Sequence, residues 1–372
     1  MIWLALPALA AAAYYGLALI AAAKWRKTTS SLPDRATVAI SVLKPVHGRD
    51  PSFYSAIRSH AEQRYPEFEL LFGVSNPQDP AIEDIERLRR EFPHLAISLH
   101  VISTDAPNAK AGVLAALSHA ARYPVLVVND SDITVPAGYL ADVTAPLADQ
   151  EVGLVTCLYR AAAESQPARW EALGIATEFA PSVLVARLLG VAEFALGSTM
   201  AFRAETLREA GGFEAIFDYL ADDYQLGSHI HQLGYRIQFS PVVVETHLGE
   251  GSFGDIWRHQ VRWSRTIRVS RFSGYFGYAV THATLWSLVA VAAGQWWAAG
   301  LALGLRIAAG VWIGAGVLGD VTVARDFWLI PCRDLLGFAI WLAGLAGHTV
   351  EWRGLRLRLR SDGRIERLPS RG

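Results

Sequence analysis

The chain has 372 residues, 52% hydrophobic and 19% charged, with a formal net charge of −1. That length and apolar content exceed one ordinary soluble domain, and the near-zero charge excludes a global field for nucleic acid. Two cysteines, Cys157 and Cys332, with no CxxC spacing, exclude a disulfide framework or zinc ribbon and fit a reducing compartment.

The first 23 residues carry no charge, and Lys24, Arg26 and Lys27 follow them. The run is long enough to cross a bilayer. Basic residues after it, rather than before it, predict an uncleaved anchor over 1–25 with its carboxyl end in the cytoplasm, instead of a signal peptide.

From about 36 to 245, strand-like and helix-like segments alternate. "VAISVL" precedes a helix starting near Pro51, "FELLFGV" precedes "PAIEDIERLRREF", and "LAISLHVI" precedes "KAGVLAALSHAAR". "VLVV" then runs into "NDSD" and a helix over about 138–148. This alternation predicts a mainly parallel sheet covered on both faces, with ligands beyond the carboxyl ends of its strands. No Gly-x-Gly-x-x-Gly or Walker loop follows a strand, which disfavours a nicotinamide dehydrogenase or P-loop kinase.

Acidic residues mark those strand ends. Asp79 follows the second strand, either to cap the next helix or to meet a base or ribose. Asn108 and Lys110 open the next helix, where Lys110 is either solvated or meets a phosphate together with the helix amino terminus. Asp130 and Asp132 would repel unless they cap a turn or share a divalent cation such as Mg²⁺ or Mn²⁺, which also grips substrate phosphates.

The segment 170–190 is apolar but broken by Glu171, Glu178 and Arg187, as suits an interfacial helix at the mouth of a site or a buried helix. Asp222 and Asp223 begin a helix, where the dipole welcomes acids or Asp223 serves as a general base. His229 and His231 do not share a helical face and are rejected as a metal pair. His247 ends a later strand-like run as a candidate further metal ligand. Arg258, Arg262 and Arg265 share one face of an amphipathic helix, facing solvent and lipid headgroups, with Arg262–Trp263 also suited to closing over a diphosphate.

Residues 275–319 hold two expected crossings, 278–296 and 299–318, with "GQWWAAG" at the turn; 335–350 is a shorter apolar run that crosses or re-enters. The tail after it carries seven arginines between Arg353 and Arg371 against Asp362 and Glu366. Three crossings would put it opposite the middle domain, whereas its charge would put it on the same side. The expected division is an anchor (1–25), a sheet domain with interfacial helices (36–272), membrane helices (275–350) and a basic tail (351–372).

The ordered set "QDPAI", "NDSDITV", "LADDY" and "HQVRW" resembles the ceramide glucosyltransferase family of membrane-bound glycosyltransferases, marked by three spaced aspartates and a (Gln/Arg)-x-x-Arg-Trp motif. "SVLKPVHGRDP", "VGLVTCLYR", "FAPSVLVA" and "RWSRTIR" resemble still more closely its bacterial relatives that glycosylate hopanoid lipids. The similarity covers about residues 38–272, with the flanking membrane segments also matching. It implies an α/β, GT-A (nucleotide-diphospho-sugar transferase) fold with a Rossmann-like mixed sheet and transmembrane helices at both ends.

The resemblance further implies that Asp79 contacts the nucleoside, Asp130 and Asp132 hold a metal–diphosphate, Asp223 is the base, and Arg262 and Trp263 bind near the diphosphate and sugar. His259 stands where the motif has Gln or Arg, keeping a hydrogen bond but not a permanent charge. The implied reaction is an inverting transfer of a hexose, glucose or N-acetylglucosamine, from a UDP-sugar to the hydroxyl of a ceramide-like lipid or hopanoid polyol. The implied setting is the inner (plasma) membrane, multi-pass, with the sheet domain cytoplasmic and no nucleic acid or protein partner. The rival readings are a processive polysaccharide synthase and a non-catalytic lipid-binding scaffold.

Overall fold

The computed structural model describes residues 2–28, 38–50, 52–352 and 354–369; Pro51, Arg353 and Arg371 of the expectations above lie outside them. Eight strands form one sheet: β1 (Ile40–Val46), β2 (Phe68–Val74), β3 (Ala96–Val101), β4 (Val125–Val128), β5 (Ile133–Thr134), β6 (Val152–Ala163), β7 (Met200–Arg203) and β8 (Arg236–Leu248). Their spatial order is β3-β2-β1-β4-β7-β6-β8-β5. β1 to β4 run parallel, and β7 runs against both β4 and β6. The expected alternation is present, with helices Phe53–Ala61, Ala81–Glu91 and Ala109–Ala120 between the first four strands. Every residue of β1 and β4 is buried, as a strand covered on both faces requires.

This order sets the position of the site. β1 has β2 on one side and β4 on the other, so the chain's crossovers diverge there and open a crevice at the carboxyl ends. Because β7 is antiparallel to β4, with Val128 opposite Met200, the residues entering β7 meet those leaving β4. Gly197 is thereby brought beside Asp130.

Three helices are long and apolar enough to cross a membrane: Trp3–Lys27, Trp296–Val317 and Thr322–Leu345. The first two lie side by side in the same direction. Ala5, Ala8 and Ala12 meet Ala298, Ala299 and Ala302 at one end, and the Arg26 guanidinium stands over Trp312 at the other. Small residues let the backbones approach closely.

The expected crossing at 278–296 is instead interrupted. Its continuous helix is only Ala283–Ala292, because His282 leaves the helical region (ψ 61°) after a turn at Tyr278–Thr281. The run expected at 335–350 begins earlier and ends sooner, at Leu345, before the chain turns into a small antiparallel sheet. That sheet consists of β9 (Thr349–Trp352), β10 (Leu355–Leu359) and β11 (Ile365–Arg367).

Both ends of Thr322–Leu345 are tied to elements next to the large sheet. Asp326 pairs with Arg169 at 2.6 Å, and Arg268 donates to the Leu345 and Gly347 carbonyls. The tail sheet then docks on the sheet domain: Ile365 N donates to Asp218 O at 2.7 Å, and Arg367 Nη2 to Ala106 O at 2.6 Å. The conflict between crossing count and tail charge disappears, since the tail packs against the same body that carries the aspartates.

Candidate active site

The first carboxylate is placed by β4. Asp130 follows its end, partly exposed, and Oδ1 accepts from Lys110 Nζ at 2.8 Å. Lys110, on the first turn of Ala109–Ala120, also lies 3.0 Å from Asp222 Oδ2. Burial opposes the ammonium charge, but Asp130 and Asp222 outweigh it and raise the Lys110 pKa. Asp132 accepts from Thr246 Oγ1 on β8, and burial, reinforced by Asp130, raises its pKa.

Asp223 closes the other side of the crevice. It lies on the first turn of Asp222–Gln232; Oδ2 accepts from Gly197 N at 2.8 Å and Oδ1 from Tyr224 N at 2.7 Å. Burial and then Asp222 raise its pKa to about 6, against the pull of Lys110. A Cβ added at Gly197 would sit 3.3 Å from Asp223 Oδ2 and 3.5 Å from Asp130 Oδ2. Asp130 and Asp223 therefore both border the space that a side chain at Gly197 would fill, and the glycine leaves that space open.

Three participants were not singled out in the sequence. Gly197 is one, and tertiary strand pairing alone reveals it. Lys44, buried in β1, donates to the Asp130 carbonyl at 2.9 Å and stands 3.5 Å from His60 Nε2. Burial lowers its pKa to about 7, against Asp132 and Asp130, while burial and Lys44 bring His60 down to about 3, so His60 is neutral. Tyr159 on β6 is the third: burial opposes its ionisation, and the charges of Asp223, Glu171, Asp130 and Asp132 all reach it. A polar residue inside an otherwise apolar strand was the available signal for Lys44 and Tyr159.

The motif helix Phe253–Ser270 joins through its aromatic face. His259 Nδ1 is 2.6 Å from Glu171 Oε1, its ring is 4.7 Å from Trp263, and Trp263 leads through Phe179 to Tyr159. Gln260 Oε1 accepts from Arg333 Nη2 at 2.8 Å, and the same nitrogen is 3.2 Å from Glu178 Oε2. The segment 170–190 is thus one wall of the site. Arg262 diverges from Trp263: it lines a groove with Arg258, Arg265 and the tail strands.

Other expectations are redirected. Asp79 spends Oδ2 on Gly48 N at 2.8 Å and Oδ1 on Ala81 N at 2.9 Å, tying the loop after β1 to its own helix start. Asn108 is fully buried; it accepts from Ala111 N as a helix cap and donates to Tyr219 O at 2.7 Å, steadying the approach to Asp222. His247 does not join Asp130 and Asp132. His247 Nε2 lies 3.0 Å from Thr134 Oγ1, and no group of three or more His, Cys, Asp or Glu able to hold a metal exists among the described residues. Alternation along β8 is the reason: Thr246 faces Asp132, so His247 points the other way.

The donor set nevertheless suits a hard cation. Asp130, Asp132, Asp222 and Asp223 bring four carboxylates against two ammonium groups, Lys44 and Lys110, a formal excess of two negative charges. Two carboxylates with water and substrate oxygens satisfy Mg²⁺ or Mn²⁺ without an all-protein cage.

Among solved structures, a mannosyltransferase from Pyrobaculum calidifontis aligns with a TM-score of 0.55 at 21% identity, covering 92% of this chain and 97% of that one. The shared fold is GT-A. In sequence, the chain is 30% identical over 213 residues to ceramide glucosyltransferase 1 of Caenorhabditis elegans, covering 56% of this chain and 45% of the relative. It is 24% identical over 267 residues to the probable glycosyltransferase YdaM of Bacillus subtilis, covering 65% and 57%. The chain spans about half the length of these curated relatives. The match to the model of glycosyl transferase family 21 is broader, running from residue 3 to residue 365. Since it takes in the first apolar helix, all the aspartates and most of the tail sheet, the chain belongs to that family.

Proposed function

We propose that the protein is a membrane-bound inverting glycosyltransferase that moves a hexose, glucose or N-acetylglucosamine, from a UDP-sugar to the hydroxyl of a membrane lipid, ceramide-like or a hopanoid polyol. The observation that carries this reading is the convergence of Asp130 and Asp223 on the space left open at Gly197. It provides a diphosphate-side carboxylate and a buried base-side carboxylate within one open crevice. The relatives named as ceramide glucosyltransferases support the acceptor class, and a structural neighbour holding GDP-mannose and Mn²⁺ supports a nucleotide-sugar donor and a divalent cation.

Asp130 and Asp132 would hold that cation, whose charge, when bound, stabilises the leaving diphosphate. Lys110 contributes fixed positive charge from the chain itself beside Asp130. Asp223 takes the proton of the acceptor hydroxyl as its oxygen attacks the anomeric carbon from the face opposite the leaving group. The bond from that carbon to the diphosphate oxygen breaks, and its electron pair leaves with UDP. Trp263, His259 and the 170–190 wall orient sugar and acceptor, and orientation carries much of the rate. The sheet domain and tail lie in the cytoplasm at the inner membrane.

The test is incubation of membranes containing the protein with labelled UDP-glucose or UDP-N-acetylglucosamine and extracted lipids, followed by mass identification of the product. A labelled lipid dependent on the protein is expected. A soluble polymer would support the processive synthase, and no product with either donor would refute the assignment.

A further inference from the structure

The arginines of the motif helix lead away from the aspartates. Trp257, Arg258, Arg262 and Arg265 form one wall of a groove of about 310 Å³, and Glu351 and Arg356 on β9 and β10 stand on the other. The groove is on a helix face adjacent to that carrying His259 and Trp263, so it is separate from the contacts to Glu171 and Phe179.

Its charge is not balanced locally. Arg258 pairs with Asp255 one turn earlier. Arg265 spends its donors on backbone carbonyls, Nε to Ala346 O at 2.9 Å and Nη1 to Thr349 O at 2.7 Å, which fix the guanidinium without neutralising it. Arg356 stands directly across from Glu351 in the strand register, yet no ion pair joins them. Arg258, Arg265 and Arg356 thus meet two carboxylates, Asp255 and Glu351, a formal excess of one positive charge. Arginine forks match phosphate oxygens geometrically.

The neighbourhood points to a bilayer. On the same helix Phe253 is 55% exposed and Trp257 39%, and Phe272 just beyond is 65% exposed. The helix packs on the apolar stretch Ile330–Leu345, through Ser264 to Ile340 O. Exposed aromatic rings beside arginines are the pattern of a helix lying at the headgroup level. We infer that this groove binds the phosphodiester of an anionic membrane lipid, seating the motif helix at the bilayer surface. The site is distinct from that for the transferred sugar and its acceptor, and it does not depend on transfer activity.

The experiment uses the full chain purified in neutral detergent and follows its thermal unfolding midpoint. Short-chain phosphatidylglycerol, short-chain phosphatidylcholine and inorganic phosphate are titrated in separate arms. Phosphatidylglycerol is expected to raise the midpoint saturably, and the other two are not. Arg356→Gln and Arg258→Gln should each raise the half-saturating concentration about fivefold, the effect of one basic residue at an anionic surface. Arg360→Gln, outside the groove, should leave it unchanged. Unfolding midpoints without lipid confirm that each variant is folded, and Arg258 is exposed enough for its replacement to be tolerated. Equal half-saturation for all variants would overturn the proposal. A response to inorganic phosphate matching that to phosphatidylglycerol would also overturn it, reassigning the groove to a soluble anion.

Discussion

Asp223 is ionisable at the working end of the site, and burial beside Asp222 raises its pKa to about 6. A base must be ionised to accept a proton, so transfer should fall as pH drops through about 6 and level off above it. A pH–rate profile under saturating donor and acceptor checks this, and a flat profile from pH 5 to 8 would contradict the role. The sequence disclosed Asp79, Asp130, Asp132 and Asp223 because carboxylates at strand ends or helix starts stand out against apolar runs. It did not disclose what each one does. Asp79 uses both oxygens on backbone amides, and His247 is turned away by strand alternation, neither of which a linear spacing reveals. Gly197 was invisible because its importance comes from an antiparallel pairing with β4 far away in the chain.

At the scale of elements, the motif helix is held from the membrane side. Arg333 binds Gln260 and Glu178 together, and a π-helical turn over Ile175–Phe179 includes Glu178. Burial raises the Glu178 pKa to about 7, with Arg333 opposing. Arg333→Met removes one of the two cations near that carboxyl, which then takes up a proton, and leaves Gln260 without its donor, so a loss of about 1–3 kcal/mol is expected. Glu178→Gln together with Arg333→Met should recover much of it, because the carboxyl that had to take up a proton is then gone. Chemical denaturation of the three variants in detergent checks the pattern, and strictly additive losses would contradict the coupling. The strands and first helices were legible from their apolar periodicity. The start of the last long helix was not, because Arg325, Asp326, Arg333 and Asp334 break its apolar run in sequence. In the structure these charges find partners: Arg306 and Asp334 lie 2.6 Å apart, both buried, and Asp326 meets Arg169. The interruption at His282 was equally hidden, since composition does not register a single backbone turn.

For the whole molecule, the docked tail sheet makes the proposed topology testable. Ile365 and Arg367 contact the sheet domain, so under the proposed membrane placement the tail and the aspartates share one side and Trp296, at the far end of an apolar helix, is on the other. Single cysteines replacing Arg64 and Arg358 in a cysteine-free chain should therefore be labelled by an impermeant thiol reagent from the same side. A cysteine replacing Trp296 should be labelled from the opposite side. Labelling of positions 64 and 358 from different sides would contradict the fold. The direct test of the central claim, that Asp223 works as the base beside Asp130 in the space left open at Gly197, is to compare lipid glycosylation with UDP-sugar binding in Asp223→Asn. The amide oxygen can still accept from one of the two backbone N–H groups. The account predicts that transfer falls about 10²–10⁴-fold while donor affinity and unfolding midpoint stay near wild type. Transfer at the wild-type rate in that variant would contradict it.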